Sequence, residues 1–401
     1  MDAGNFSGDS SEAGRRNTQL LLAGMGRMAH AAVNLGERDL LFGADKLREW
    51  AKQSSVSLIS ANLVYQDSGE PAFDSSLVKT VETGHGGGRK RKLRVGILGL
   101  ARMNSGLSVP GPSGRRIVTA DPVAAARIQI PELRRKSDFI LILATLEPEQ
   151  AKDLAKQVEG IDVILGGSGP IQVSEEVHPT AASPTVHTRV IYAGNQGKKL
   201  GEVRVFLAEK GQPAKLDVQT VNLRKIIPDD PAIMDLVEQN RIAINEINKK
   251  DAPLVDSEKL RAMYSGASFV KSESCKACHE EAYKIWEGSN HAHAFKILED
   301  RHQDYNPECV GCHTTGFRHP TGFLNAKSTP DLANVQCESC HGPGSGHPDK
   351  VGKEYGPVTR DLCITCHTPV NSPDFDPIAY RVKIRHWEEK PAGAGAPTSS
   401  R

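Results

Sequence analysis

The sequence predicts two domains of different kinds: a layered α/β domain over roughly the first half and a mostly α/loop domain over the last third. Two observations carry this. Apolar runs of strand length alternate with helix-spaced segments from Leu20 to about Val221, the pattern of a layered α/β domain. After Phe269 such runs stop, and a five-residue Cys-x-x-Cys-His pattern recurs four times over about 110 residues.

The elements follow in order. Asp2-Ala3-Gly4-Asn5 reads as the end of a strand, and Thr18 to Val33 as an amphipathic helix. Ser57–Leu63 and Leu93–Leu100 are short apolar runs bounded by turns. Asp138–Ala144 and Ile161–Leu165 are buried-strand runs, with Pro148–Val158 between them at helical spacing. Val190–Ala193 and Gly201–Leu207 close the series. Gly84–Arg91 is glycine-rich and basic, as expected of a solvated loop. Pro228–Lys250 opens with Pro231 in a first turn, and its apolar Ile233, Leu236, Val237, Ile244 and Ile247 predict one amphipathic helix. Asp251–Gly266 reads as a linker, and the low-complexity tail from Pro391 as disordered. The expected boundaries are 1–222 for the α/β domain, 223–268 for the connector, 269–390 for the second domain and 391–401 for the tail.

Every cysteine belongs to the repeated pattern: Cys275, Cys278 and His279; Cys309, Cys312 and His313; Cys337, Cys340 and His341; Cys363, Cys366 and His367. Cys-x-x-Cys-His is the attachment site of c-type haem. The thiols add to the haem vinyl groups, and the adjacent histidine becomes the proximal iron ligand. Zinc is the main rival, but paired thiolates at a zinc ribbon need no histidine after each pair. A Cys-x-x-Cys disulfide closes too small a loop to constrain much. The expectation is therefore four covalent haems and a tetrahaem cytochrome c domain. So little chain cannot build an apolar core around each haem, so the haems must pack together. No methionine follows Met263, which leaves histidine as the expected sixth ligand. Six histidines lie outside the motifs: His291, His293, His302, His319, His347 and His386.

The formal net charge of +1 suggests neither nucleic acid nor an anionic membrane as partner. No apolar run reaches the roughly 20 residues that span a bilayer. Haem c attachment takes place outside the cytoplasm, so a periplasmic or extracellular location is expected. Arg15-Arg16 and the following leucines imitate an export signal, but the apolar stretch is short and broken by Arg27. The expectation is that the true start lies upstream, with the signal peptide and a first strand missing from this sequence.

The first 210 residues or so resemble the 5′-nucleotidase branch of the calcineurin-like metallophosphoesterases. The resemblance rests on Asp2–Asn5, Ala32–Asp39, Leu58–Leu63, Ile161–Ser168 and Ala193–Gly201, in that order and spacing. It implies a metallophosphoesterase-like layered sandwich, N-terminally truncated. Active members hold two metal ions that clamp a phosphoryl group. Here the bridging aspartate falls on Asn5, and the Gly-Asn-His-Glu motif reads Gly36-Glu37-Arg38-Asp39. The later histidines fall on Thr145, Ser168 and Pro170. Threonine and proline do not replace imidazole at such a centre, so the domain is expected to have lost this chemistry. His30, His85, His178 and His187 stand at no metal-ligand spacing from one another and read as surface or capping residues.

Phe269 to His386 resembles the cytochrome c-554 family of multihaem cytochromes. The residues carrying this are Trp286 to His293 after the first motif, Thr314–Phe317 after the second, and Gly342–His347 after the third; Pro357 and the fourth motif complete the set. The resemblance implies distal roles for His291, His347 and His386, with His293 as a substitute for His291. His302 and His319 sit in polar loop sequence and read as solvent-facing. The leading expectation is electron transfer between periplasmic or cell-surface redox partners, such as other cytochromes or a quinol-linked reductase. One alternative is a haem oxidoreductase with one open iron acting on a small nitrogen compound. Another is a nucleotide phosphoesterase that has gained a redox domain.

Overall fold

A computed structural model describes residues 1–83, 91–104, 106, 108–111, 114–167, 173–177, 187–192, 197, 199–206, 215–223, 226–347, 356, 358–369 and 371–386. The chain divides into two compact units, Met1–Asn240 and Arg241–Arg401. Basic stretch 84–90 and tail 391–401 lie outside the described residues.

The first unit is built on a six-stranded mixed sheet. Its order is Val173–Val177, Thr188–Tyr192, Val163–Gly166, Phe139–Ala144, Arg91–Leu100 and Ser76–Thr83. The four inner strands are parallel, and each edge strand is antiparallel to its neighbour. Phe139–Ala144 (Phe-Ile-Leu-Ile-Leu-Ala) is buried at every position, as a central parallel strand covered on both faces must be. One face packs Ile140, Ile142 and Ile164 against helices Pro122–Lys136 and Pro148–Gln157 through Ile130, Leu133, Ala151 and Leu154. The other packs Ile97, Leu141, Leu143 and Ile191 against Val203, Val205, Leu216 and Val218 of the hairpin Lys199–Phe206/Lys215–Asn222. Helices Glu12–Arg27 and Ala44–Gln53 enclose a further core around Leu22, Val33, Leu47 and Leu63.

The first helix differs from the sequence expectation of Thr18 to Val33. It spans Glu12–Arg27, because the Ser11 hydroxyl caps it by accepting from Gly14 N (3.0 Å). It ends at Met28, and Ala29 adopts φ 52°. The released chain then forms strand Val33–Asn34, parallel to Leu58–Ile59. Asp2 forms an isolated parallel bridge to Val33, and the chain turns away at Gly4 (φ 103°) and Asn5 (φ 62°).

The helix expected over Pro228–Lys250 spans Pro231–Asp251, with the Asp230 carboxylate accepting from Ala232 N and Ile233 N. The unit boundary falls inside it. The second unit holds short helices, four of which carry the motifs: Ser272–Lys276, Pro307–His313, Cys337–His341 and Arg360–Cys366. Its side-chain core is small: Phe269, Phe295, Leu298, Val310, Phe323 and Leu332. Among the described residues no helix is long and apolar enough to cross a membrane.

Candidate metal centres

Each motif lies on or just after one helical turn, so its histidine follows the second cysteine at a turn's end. The Nδ1 atoms of three motif histidines are held by short contacts. His313 Nδ1 lies 2.7 Å from Ala294 O and His341 Nδ1 3.0 Å from Gly356 O. His367 Nδ1 is 3.0 Å from Ser372 Oγ. A carbonyl only accepts, so Nδ1 carries the proton in the first two rings and Nε2 presents a lone pair. This is the outer-shell arrangement that orients an imidazole for metal ligation.

Three of the motif histidines face a second imidazole. The ring centres are 6.1 Å apart for His279 and His347, at 24° between planes. They are 6.2 Å apart for His367 and His291, and 5.9 Å for His341 and His386. Parallel stacked rings sit closer, as His367 and Phe375 do at 4.4 Å, whereas edge-on contacts such as His367 with Tyr380 reach 5.8 Å. Two metal–nitrogen bonds of about 2 Å, plus the distance from nitrogen to each ring centre, give roughly 6.3 Å. The three separations therefore suit a single iron between each pair. Burial, and then nearby His367, lowers the pKa of His291; burial also lowers that of His367. Both effects favour the neutral imidazole that binds a metal.

The remaining histidines are placed differently. His293 is exposed and its Nε2 lies 3.1 Å from Glu287 O. His302 is exposed at φ 51°. His319 corrects the expectation of a solvent-facing ring: it is half-buried, packed on Phe269 and Tyr264. Its Nε2 contacts Tyr264 Oη (3.1 Å), and its Nδ1 accepts from Thr321 N (3.2 Å). In the first unit, His30 Nδ1 is 3.1 Å from Met25 O and His187 is exposed. His85 and His178 lie outside the described residues.

The cysteines place the motifs beside one another. The Cys337 thiol is held below its ordinary value, chiefly by hydrogen bonding from Cys275 and helped by Ser272. Burial raises the Cys312 thiol to about 11, with Cys366 adding to the effect. Burial likewise raises Cys340 to about 11, and the neighbouring Cys363 and Cys366 raise it further. The first motif thus neighbours the third, the third the fourth, and the fourth the second. Among the described residues no group of three or more His, Cys, Asp or Glu side chains gathers as a metal-ion site. What the second unit gathers are imidazole pairs.

In the first unit the residues that the sequence resemblance aligns with phosphoesterase ligands bond to protein groups. Asp39 is fully buried and accepts from Asn5 N (2.8 Å), Ser7 N (2.9 Å) and Gly36 N (2.8 Å). Burial outweighs those donors and pushes its carboxyl up to about 6. Asn5 Oδ1 accepts from Arg38 N (3.2 Å). Thr145 Oγ1 accepts from Arg102 N (2.9 Å). The Arg102 guanidinium pairs with Glu37 (2.7 Å), which also accepts from Asn104 (2.7 Å). Burial raises the Glu37 carboxyl, but Asn104 and Arg102 together hold it below its usual value. A Cβ on Gly36 would come within 2.1 Å of Asn5 Oδ1, so this pocket is packed tightly. Ser168 and Pro170 lie outside the described residues.

Residues 274–342 match the family described as cytochrome c554 and c-prime, a span that includes the first three motifs. A 2′,3′-cyclic-nucleotide 2′-phosphodiesterase/3′-nucleotidase of Yersinia enterocolitica is 22% identical over 153 residues, 36% of this chain and 24% of that protein. The chain thus spans about a quarter of the length of that curated relative. Among solved structures, the calcineurin-like phosphoesterase YfkN of Bacillus subtilis gives a TM-score of 0.48 at 18% identity, over 60% of this chain and 81% of that one. The 5′-nucleotidase precursor of Thermus thermophilus gives 0.48 at 19%, over 61% and 49%. Reduced cytochrome c554 of Nitrosomonas europaea gives 0.23 at 24%, over 31% and 80%. The chain joins a metallophosphoesterase-like α/β domain to a helical C-terminal region that resembles the cytochrome c554 family and carries that family's c-type haem attachment pattern.

Proposed function

We propose that the protein is a tetrahaem electron carrier acting between exported redox partners, other cytochromes or a quinol-linked reductase, in the periplasm or at the cell surface. The observation that carries this reading is the facing of His279, His341 and His367 by His347, His386 and His291 at 5.9–6.2 Å. Bound haem would supply a one-electron iron couple at each motif. The chain supplies the rest. Cys275, Cys278, Cys309, Cys312, Cys337, Cys340, Cys363 and Cys366 tether the four groups, and His279, His313, His341 and His367 ligate from one side. Filling both axial positions with histidine rather than methionine favours a lower potential and closes the iron to substrate. The thiol contacts between motifs support close packing, as rapid exchange among the four sites requires. The α/β domain serves as an inert scaffold or docking body in this reading, with Asn5, Glu37 and Thr145 at its ligand positions and Arg38 in place of the catalytic histidine.

One observation favours a second reading at the second motif. His319 uses both ring nitrogens on Tyr264 and Thr321, and His293 directs Nε2 to Glu287 O. The other distal candidates face His279, His341 and His367. In this reading the iron at His313 keeps one open position for a small nitrogen compound such as nitric oxide or hydroxylamine.

Absorption spectroscopy tests both. The purified protein is expected to show a Soret band and four haems per chain by pyridine haemochrome. Carbon monoxide added to the reduced protein leaves the spectrum unchanged under the first reading and shifts about one quarter of the haem under the second. A colourless protein overturns both.

A further inference from the structure

We infer that Glu338, inside the third motif, is a positioning residue for the axial pair of the first. The inference rests on the haem reading above. Glu338 is 2% exposed, and backbone N–H groups surround its carboxylate. Val270 N donates to both oxygens (2.8 and 2.9 Å), Lys271 N to Oε2 (2.8 Å) and Gly344 N to Oε1 (2.7 Å). A carboxylate is the side chain suited to this task, because both oxygens only accept.

These donors lie on the two segments that carry the ligands of one iron. Val270 and Lys271 lead into helix Ser272–Lys276 and so to His279, whose N–H closes the turn on Cys275 O (2.9 Å). Gly344 opens the turn that ends at His347, with His347 N donating to Gly344 O (3.0 Å). Ser345 N to Ser268 O (3.1 Å) and Ser268 N to Ser345 Oγ (2.8 Å) strap the same two segments together. Lys271 adopts φ 72°, a left-handed conformation that a non-glycine residue holds only where its surroundings enforce it. The Glu338 oxygens bonded to Lys271 N and Val270 N supply that enforcement. The result is the 6.1 Å spacing of His279 and His347. Glu338 touches neither ring; it acts through the backbone that carries them.

Glu338→Gln retains the shape but turns one N–H₂ group toward the donors. The test is the spin state of the purified, haem-loaded full chain, measured by optical and electron paramagnetic resonance spectroscopy. His347→Ala provides the reference signature of a first-motif haem without its distal ligand. Glu338→Gln is expected to keep its haem count and gain a high-spin signal matching that of His347→Ala, in up to about a quarter of the haem. Added imidazole is expected to return both variants to low spin. A Glu338→Gln protein with the parent spectrum overturns the inference, as does a high-spin signal unlike that of His347→Ala. If Glu338→Gln fails to load haem, Ser345→Ala takes its place: the same signal supports the inference and the parent spectrum overturns it. A parent protein without a Soret band instead removes the haem reading itself.

Discussion

His291 and His293 sit two residues apart in the turn Asn290–His293, yet they point to different chemistry. His291 is half-buried and faces His367, while His293 is exposed and contacts Glu287 O. His291→Ala is therefore expected to convert one low-spin haem to high spin, and His293→Ala to leave the spectrum of the parent. Equal spectra for the two variants would refute the pairing. Asp39 allows a second test at this scale. Its folded-state value of about 6 lies above the ordinary 3.8, so the native chain holds a proton that the unfolded chain releases between those values. Stability from this group is full below about 4 and is lost as pH rises to about 6, a change of up to about 3 kcal/mol. In Asp39→Asn that contribution is absent. The wild-type unfolding free energy should thus fall relative to the variant from pH 4 to pH 7 in urea melts; a pH-independent difference contradicts the shift.

Elements are legible in proportion to how fully a single segment encodes them. Phe139–Ala144 and helix Pro148–Gln157 can be read because burial on both faces, or on one stripe, is written into consecutive residues. Ser76–Thr83 has no clean alternation, with Leu77 and Val78 adjacent and polar Lys79 on the face of Leu77, and it becomes a strand by pairing with Arg91–Leu100 across a glycine-rich stretch. The first helix starts earlier than its apolar periodicity suggests, because its start depends on a Ser11 cap that no periodicity announces. The second unit shows the same limit. The repeated Cys-x-x-Cys-His pattern is legible because its residues lie within five contiguous positions. Which distal histidine meets which motif is not, since His291 lies just after the first motif yet faces the histidine of the fourth. Glu338 is hidden for a related reason: its three partners are backbone N–H groups, one six residues on at Gly344 and two in the distant segment at Val270 and Lys271.

At the scale of the whole molecule, the two units differ in what occupies their centres. The first is filled by its own side chains, including the residues that the resemblance aligns with metal ligands. A two-metal hydrolytic centre needs several anionic or imidazole ligands converging on each ion. Here Asn5 accepts from Arg38 N, Thr145 accepts from Arg102 N, and the Arg102 cation pairs with Glu37. A divalent ion entering beside Arg102 would meet a positive charge and would have to displace a 2.7 Å ion pair to gain Glu37 as a single carboxylate ligand. The full chain is therefore expected to hydrolyse neither bis(4-nitrophenyl) phosphate nor a 2′,3′-cyclic nucleotide above the metal-only background, with added manganese, magnesium or zinc. Metal chelation should leave its haem spectrum and reduction unchanged. Metal-dependent turnover that is abolished by chelator would show that the first unit recruits ligands from outside Asn5, Gly36–Asp39 and Thr145, and would restore hydrolysis as a function of this chain.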